Sequence, residues 1–296
     1  MEAAGQEPER DPRLAWGLMS YYRVLGLDKE PFSTSPDPTF FFRSSSHIQA
    51  LNRLEIAIRL RRGLSLILGD VGIGKTTLAR TLVSQFQDDE GFLFHMIFDP
   101  SYESEYQFLQ HLCRLFGVRP LFKSTLDCRE AIEHYLFQRG VTEGKTVILV
   151  IDEGQKLSLD MLENLRVLLN YETNEYKLLQ VVIFAQMELL PRLTRVKNFI
   201  DRVALKYIVN PLGEDETAQL IQFRLEQAGL RDGASVFAPE AIRTIHRFTQ
   251  GYPRQIAMFC HNALEELVMR EQAVVDEALV QELMVHESRW AEKHSA

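Results

Sequence analysis

Residues 69–76 read Gly69-Asp70-Val71-Gly72-Ile73-Gly74-Lys75-Thr76, a glycine-rich loop that fits the whole pattern G-x-x-x-x-G-K-[ST]. The apolar run LSLIL at residues 64–68 precedes the loop and predicts a buried strand. The run TTLARTLVSQF at residues 76–86 follows it with the apolar spacing of an amphipathic helix. A strand, a glycine loop and a helix in this order predict a phosphate-binding loop.

The residue types of the loop suit a triphosphate. Glycines let the backbone approach phosphate oxygens closely, and the start of the following helix presents its unpaired N–H groups to the same anion. Lys75 supplies a cation for the β- and γ-phosphates, and the Thr76 hydroxyl is a ligand for Mg²⁺. The sequence therefore predicts that residues 69–76, together with Thr77, bind ATP with Mg²⁺ as its cofactor.

A second motif places two carboxylates at the end of an apolar run. Residues 147–151 read VILVI, and Asp152 and Glu153 follow directly. Side chains alternate along a strand, so the two carboxylates are expected to point to different places. Asp152 is predicted to complete the Mg²⁺ site opposite Thr76, and Glu153 to orient the attacking water. The alternative interpretation is a strand-end turn with two solvated acids.

Composition limits the classes of protein. Of 296 residues, 46% are hydrophobic and 25% charged, which is typical of a globular chain. The net charge of −8 counts against a protein that coats nucleic acid. The three cysteines lack CxxC spacing, so neither a disulfide framework nor a zinc site is indicated. No secretory signal and no apolar run near the length of a membrane span is present, so a cytoplasmic protein is expected.

The chain changes character near Pro211. Before it, fully apolar strands alternate with helices, which predicts a parallel sheet covered on both faces. After it, amphipathic helices follow one another. We therefore expect a tail at residues 1–18, an α/β nucleotide-binding core at 19–211, a helical lid at 212–290 and a second tail at 291–296.

The two motifs and the helical lid together resemble an AAA+ ATPase, which implies a five-stranded parallel sheet in the order 5-1-4-3-2. Further segments resemble the ExeA family, also called general secretion pathway protein A, over residues 21–275. They include YYRVLGL at 21–27, GDVGIGKTTLARTL at 69–82, VIDEGQKL at 150–157 and GYPRQIAMFCHNAL at 251–264. Gly154 stands where the family usually has alanine.

Some members of this family carry a transmembrane helix and a periplasmic part. This chain is expected to carry neither, and therefore to be most similar to the short cytoplasmic members associated with mannose-sensitive haemagglutinin (MSHA) pilus biogenesis.

The resemblance implies further catalytic residues. Gln186 matches the sensor-one position after the fourth strand, and Arg254 in GYPR matches the sensor-two arginine that contacts the γ-phosphate. Arg202 matches the position of an arginine finger donated to a neighbouring subunit, with Arg192 and Arg195 as alternatives.

The function implied by the resemblance is a Mg²⁺-dependent ATPase that assembles an envelope machine, either a type II secretion apparatus or a type IV or MSHA-type pilus. Its partners would be further copies of itself, in a ring or filament, and an inner-membrane assembly protein that brings the chain to the membrane. One alternative is a DNA-binding ATPase of the transposition target-selection type, against which the acidic balance counts. Another is a small-molecule kinase, against which the Asp152–Glu153 pair counts, because it favours water as the acceptor.

Overall fold

A computed structural model describes residues 20–34, 38–118, 124–230 and 235–294. The chain divides into two compact units. The sheet unit is Arg43–Asn210, and the helical unit combines the described residues up to Phe42 with those from Pro211 onward. Among the described residues, no helix has both the length and the apolar character needed to cross a membrane.

The strands of the sheet unit form one parallel sheet in the spatial order β2-β3-β4-β1-β5, as far as the described residues go. This confirms the order 5-1-4-3-2 that the resemblance to AAA+ ATPases implies, read from the other edge. The strands are β1 (Leu64–Leu68), β2 (Phe92–Ile97), β3 (Thr146–Ile151), β4 (Leu179–Ala185) and β5 (Val203–Ile208).

The helices are numbered in chain order. Those before the last strand are α1 (Tyr21–Val24), α2 (Ser45–Arg59), α3 (Lys75–Gln85), α4 (Glu105–Leu115), α5 (Thr125–Phe137), α6 (Leu159–Leu168) and α7 (Leu190–Leu193). Those after it are α8 (Glu214–Gln227), α9 (Pro239–Thr249), α10 (Pro253–Met269) and α11 (Glu277–His294).

The burial of the strands explains their order. Every residue of β1, β3 and β4 is buried, which requires neighbouring strands on both sides and helices on both faces. Strand β2 is mostly half-buried, and β5 alternates between half-buried and exposed residues, as edge strands do. Because all the pairings are parallel, the loops that follow these three central strands lie at the same edge of the sheet.

The described residues before Arg43 pack differently from the expectation of a core at 19–211. Leu27, Phe32 and Phe40 are buried in the apolar cluster of the helical unit. The Asp28 N–H donates to the Ala228 carbonyl at 2.7 Å. The helices after Pro211 thus supply the apolar surface that these phenylalanines need, and the described residues up to Phe42 belong to the helical unit.

The last helix also differs from the expectation. Helix α11 continues to His294, into the stretch predicted as a tail at 291–296.

Gly251, in the GYPR segment, forms a close backbone approach within the helical unit. Its φ is +75°, and its carbonyl accepts from the Leu212 N–H at 2.9 Å. A Cβ at this position would lie 2.1 Å from the Leu212 carbonyl oxygen. Any side chain here therefore forces the backbone at Leu212 to move.

We predict that Gly251→Ala destabilises the helical unit. The matched control is Gly26→Ala in the same unit, where φ is +74° and a Cβ would meet no atom within 4 Å. The control should lose roughly 1–2 kcal/mol for the left-handed backbone alone, and Gly251→Ala roughly 1–3 kcal/mol more because of the clash. Urea unfolding of the full chain measures both, and equal losses would contradict this account.

Candidate active site

The phosphate-loop sequence connects β1 to α3. Gly72 and Gly74 have φ of +80° and +98°, a region that favours glycine, and Gly74 is the cap residue from which α3 starts. At Gly69 a Cβ would lie 2.9 Å from Cγ2 of Ile73, so the loop also closes tightly on itself. These three glycines let the loop backbone curve closely around the N-terminus of α3, where the unpaired N–H groups of the first turn lie.

Lys75 lies inside this loop. Its side chain is buried, and Nζ donates to the carbonyl oxygens of Gly69 and Asp70, at 2.8 Å each. Burial lowers the pKa of Lys75, and the nearby charges of Glu153 and Asp152 oppose that shift. The loop thus holds an ammonium group at the N-terminal end of a helix, where two sources of positive potential add.

Thr76 and Asp152 are brought together as the sequence predicts. Thr76 Oγ1 donates to Asp152 Oδ2 at 2.5 Å, and Asp152 Oδ1 accepts from the Glu153 N–H at 2.9 Å. Asp152 is 2% exposed, and burial raises its pKa, although the bonds from Thr76 and Glu153 act in the opposite direction. A hydroxyl beside a carboxylate provides the hard oxygen atoms that Mg²⁺ prefers.

No group of three His, Cys, Asp or Glu side chains within the described residues is arranged to hold a metal ion. Thr76 and Asp152 offer two oxygen ligands, which suits a cation that completes its shell with phosphates and water.

Sheet order decides which further residues lie at this edge. Strand β4 lies between β3 and β1, and its last residue, Ala185, pairs with Leu68 directly before the loop. Gln186, the next residue, is therefore placed between the phosphate-loop sequence and the carboxylates. This agrees with its expected position after the fourth strand.

Glu153 follows β3 in a left-handed backbone conformation with φ of +52°. Its carboxylate Oε2 accepts from the side-chain amide of Gln155 at 2.7 Å. Gln155 is 8% exposed, and its hydrogen bond to Glu153 was not predicted from the sequence. A polar residue in the short turn after two carboxylates was the available signal, but nothing in the sequence shows that this side chain turns inward.

The candidate arginine fingers lie in different places. Arg202 precedes β5, whose first residue pairs with Leu64 at the start of β1. The loop follows the other end of β1, so Arg202 and the loop are separated by roughly 15–20 Å along the strand. Arg192, in contrast, donates to the carbonyl of Gln155 at 2.6 Å, and Arg195 is exposed.

Arg254 is the second residue of α10, and its side chain is exposed. It belongs to the helical unit, whereas Lys75, Thr76 and the carboxylates belong to the sheet unit.

His47 on α2 supports the loop from within the sheet unit. It is 3% exposed, and its Nε2 lies 3.0 Å from the Ile73 carbonyl, which can only accept a hydrogen bond. Nε2 is therefore the donor, and Nδ1 lies 2.8 Å from the Ser44 hydroxyl, with which it shares a hydrogen bond. A Cβ on Gly74 would lie 3.2 Å from His47 Nε2, which shows how closely the ring approaches the loop.

Comparison with known proteins gives both a family and a relative. The model of the AAA domain family matches residues 58–193, a range that includes the loop, both carboxylates and Gln186. General secretion pathway protein A of Aeromonas hydrophila is 34% identical over 254 residues, which cover 82% of this chain and 44% of that protein. The chain thus spans less than half the length of this relative.

Solved structures share the fold. Cdc6p from Pyrobaculum aerophilum has a TM-score of 0.64 at 18% identity, over 84% of this chain and 68% of that one. The ORC2 protein of Aeropyrum pernix has a TM-score of 0.62 at 18% identity, over 87% of this chain and 71% of that one. These solved structures show the fold alone. The family match, taken with the loop, carboxylates and sheet order described above, leads to one conclusion: the chain is an AAA+ P-loop ATPase whose sequence is similar to that of general secretion pathway protein A.

Proposed function

We propose that this chain is a Mg²⁺-dependent ATPase that couples ATP binding and hydrolysis to the assembly of an envelope machine, a type II secretion apparatus or a type IV or MSHA-type pilus. The proposed ATPase activity rests mainly on the hydrogen bond from Thr76 to Asp152 beside the buried ammonium of Lys75. It brings a hydroxyl, a carboxylate and a cation to the start of one helix.

The phosphate-binding role is assigned to residues 69–77. Lys75 now bonds two backbone carbonyls, and phosphate oxygens are stronger acceptors for an ammonium group. Thr76 and Asp152 are the residues that would hold Mg²⁺, which would supply neutralisation of the phosphate charge. Gln186 and Arg254 are the proposed contacts to the γ-phosphate.

Glu153 is the proposed residue that orients water. Its carboxylate is half-buried, and it adjoins the buried Asp152 that the cation would engage. A carboxylate in this position accepts a hydrogen bond from water and turns the oxygen lone pair toward phosphorus. Since Asp152 is committed to Thr76 and to the Glu153 N–H, the two acids have separate tasks.

Two substitutions separate binding from chemistry. Glu153→Gln should bind ATP with nearly unchanged affinity and lose turnover by roughly 10²–10⁴-fold, because an amide cannot take a proton from water. Lys75→Ala should lose ATP binding itself, since the loop then lacks its cation. Fluorescent-nucleotide titration and phosphate release measure the two steps. Turnover retained by Glu153→Gln, or ATP affinity retained by Lys75→Ala, would contradict the assigned roles.

The envelope machine is proposed from the similarity to general secretion pathway protein A, of which this chain spans 44%. The proposed partner is an inner-membrane secretion or pilus assembly protein, through which the chain would act at the membrane surface.

Capture from the source cell tests this part. The Glu153→Gln variant, held in ATP, should co-purify an inner-membrane component of a secretion or pilus machine, because an ATPase locked before hydrolysis retains the partner of that state. Lys75→Ala is the matched control and should not retain it. Recovery of duplex DNA with ATP-dependent, steeply salt-sensitive binding would instead indicate the DNA-handling function.

Arg202 is the proposed arginine finger to a neighbouring subunit. Its place at the far end of β1 from the phosphate loop supports a role toward a neighbour and not toward the loop of its own subunit. An arginine donated by a neighbour would make hydrolysis depend on assembly into a ring or filament.

Mixing subunits tests the donation. Arg202→Ala alone should bind ATP and lose turnover by roughly 10³-fold. Adding Lys75→Ala subunits should restore part of the rate, because they supply Arg202 to intact loops. A mixture of Lys75→Ala and Glu153→Gln is the control and should stay inactive. Each of these subunits has a defect in its own nucleotide site, and an arginine from a neighbour cannot replace the missing group. Absence of rescue in the first mixture would contradict donation between subunits.

A further inference from the structure

Gln155 joins two parts of the active site through one side chain. Its Nε2 donates to Glu153 Oε2 at 2.7 Å, and its Oε1 accepts from the backbone N–H of Gln186 at 3.1 Å. Both ends of the amide are therefore used, one on the carboxylate after β3 and the other on the segment after β4.

The turn that carries Gln155 is held on both sides. The backbone carbonyl of Gln155 accepts from Arg192 at 2.6 Å. At Gly154 a Cβ would lie 2.4 Å from Cγ2 of Ile183, so the turn packs directly on β4 with no space for the alanine usual in the family. Since the backbone at 154–155 has little room to move, the amide of Gln155 has a well-determined position.

A carboxylate that orients water must itself be oriented. The side chain of Glu153 has several rotatable bonds, and its acceptor directions turn with them. A hydrogen bond to Oε2 from a buried amide restricts this rotation and holds the plane of the carboxylate. The other oxygen then keeps a constant direction, which matters because small misplacements of a reacting group cost much of the rate.

We propose that Gln155 is a positioning residue for ATP hydrolysis, which holds the Glu153 carboxylate in its working orientation and links it to the backbone of Gln186. The proposal rests on the role of Glu153 proposed above. Because Gln186 follows β4 beside the phosphate-loop sequence, a shift of that segment reaches Glu153 through a single side chain.

Gln155→Ala provides the first test. It should lower kcat roughly 10–100-fold with the KM for ATP nearly unchanged, because Gln155 bonds no group of the phosphate loop in this structure. The matched control is Gln180→Ala. Gln180 is also buried and also bridges two groups, the Gly63 N–H and the Lys177 carbonyl, but at the other end of β4. The control should lose stability without this loss of kcat. An unchanged kcat in Gln155→Ala, or an equal loss in both variants, would overturn the proposal.

Gln155→Glu supplies a readout that a purely structural role would not move. The new side chain has nearly the same size and can still accept from the Gln186 N–H, but it has no N–H to donate and places a second carboxylate beside Glu153. We expect kcat of Gln155→Glu to fall below that of Gln155→Ala, with the KM for ATP nearly unchanged, because repulsion between the carboxylates turns Glu153 away from its orientation. A purely structural role predicts the opposite order, since the glutamate fills the space that alanine leaves empty. A kcat of Gln155→Glu at or above that of Gln155→Ala would overturn the proposal.

A double variant distinguishes this proposal from the one it rests on. If Gln155 acts through Glu153, then adding Gln155→Ala to Glu153→Gln should not lower the residual single-turnover rate further. A full additional loss in that background would mean that Gln155 acts independently, which overturns the positioning role alone. Native-like turnover of Glu153→Gln by itself would remove the proposed function of Glu153, and the positioning role with it.

Discussion

The hydrogen bond from Thr76 to Asp152 is the contact on which the geometry of the site depends. It joins residues 76 positions apart in the chain, on segments that follow strands not adjacent in the sheet. Strand β4 lies between β1 and β3, so the bond spans the end of a third strand. As a result Gln186, the residue that follows β4, lies between the phosphate loop and the carboxylates.

Burial of opposite charges gives the site its chemical character. Lys75 and Asp152 are both buried, and burial alone would favour their neutral forms. Backbone carbonyls around Lys75, and the Thr76 hydroxyl and Glu153 N–H around Asp152, provide hydrogen bonds that offset this cost. These charges therefore lie at the loop before a ligand arrives, and in the proposed complex Lys75 exchanges its backbone carbonyl partners for phosphate oxygens.

The loop and the carboxylates draw support from residues that touch no reacting group. His47 donates to the loop at Ile73, and Gln155 donates to Glu153. Arg192, one of the alternatives for an arginine finger, instead anchors the turn after the carboxylates within its own subunit. These contacts connect α2, the turn after β3 and helix α7 to one edge of the sheet, so the site depends on packing well outside the motifs.

The sequence by itself determined the loop, the two carboxylates and the parallel sheet, because each follows from a local pattern: glycines at set spacing, an apolar run ending in acids, and strands apolar at every position. Only the tertiary structure decided that Leu27, Phe32 and Phe40 pack on the helices after Pro211, that Gln155 turns inward to Glu153, and that Arg202 lies at the far end of β1. Each of these depends on which distant segments become neighbours. Residue type and spacing do not predict these long-range contacts. The same glutamine could lie on a surface turn or bridge two buried groups, and the same phenylalanine could pack on either unit.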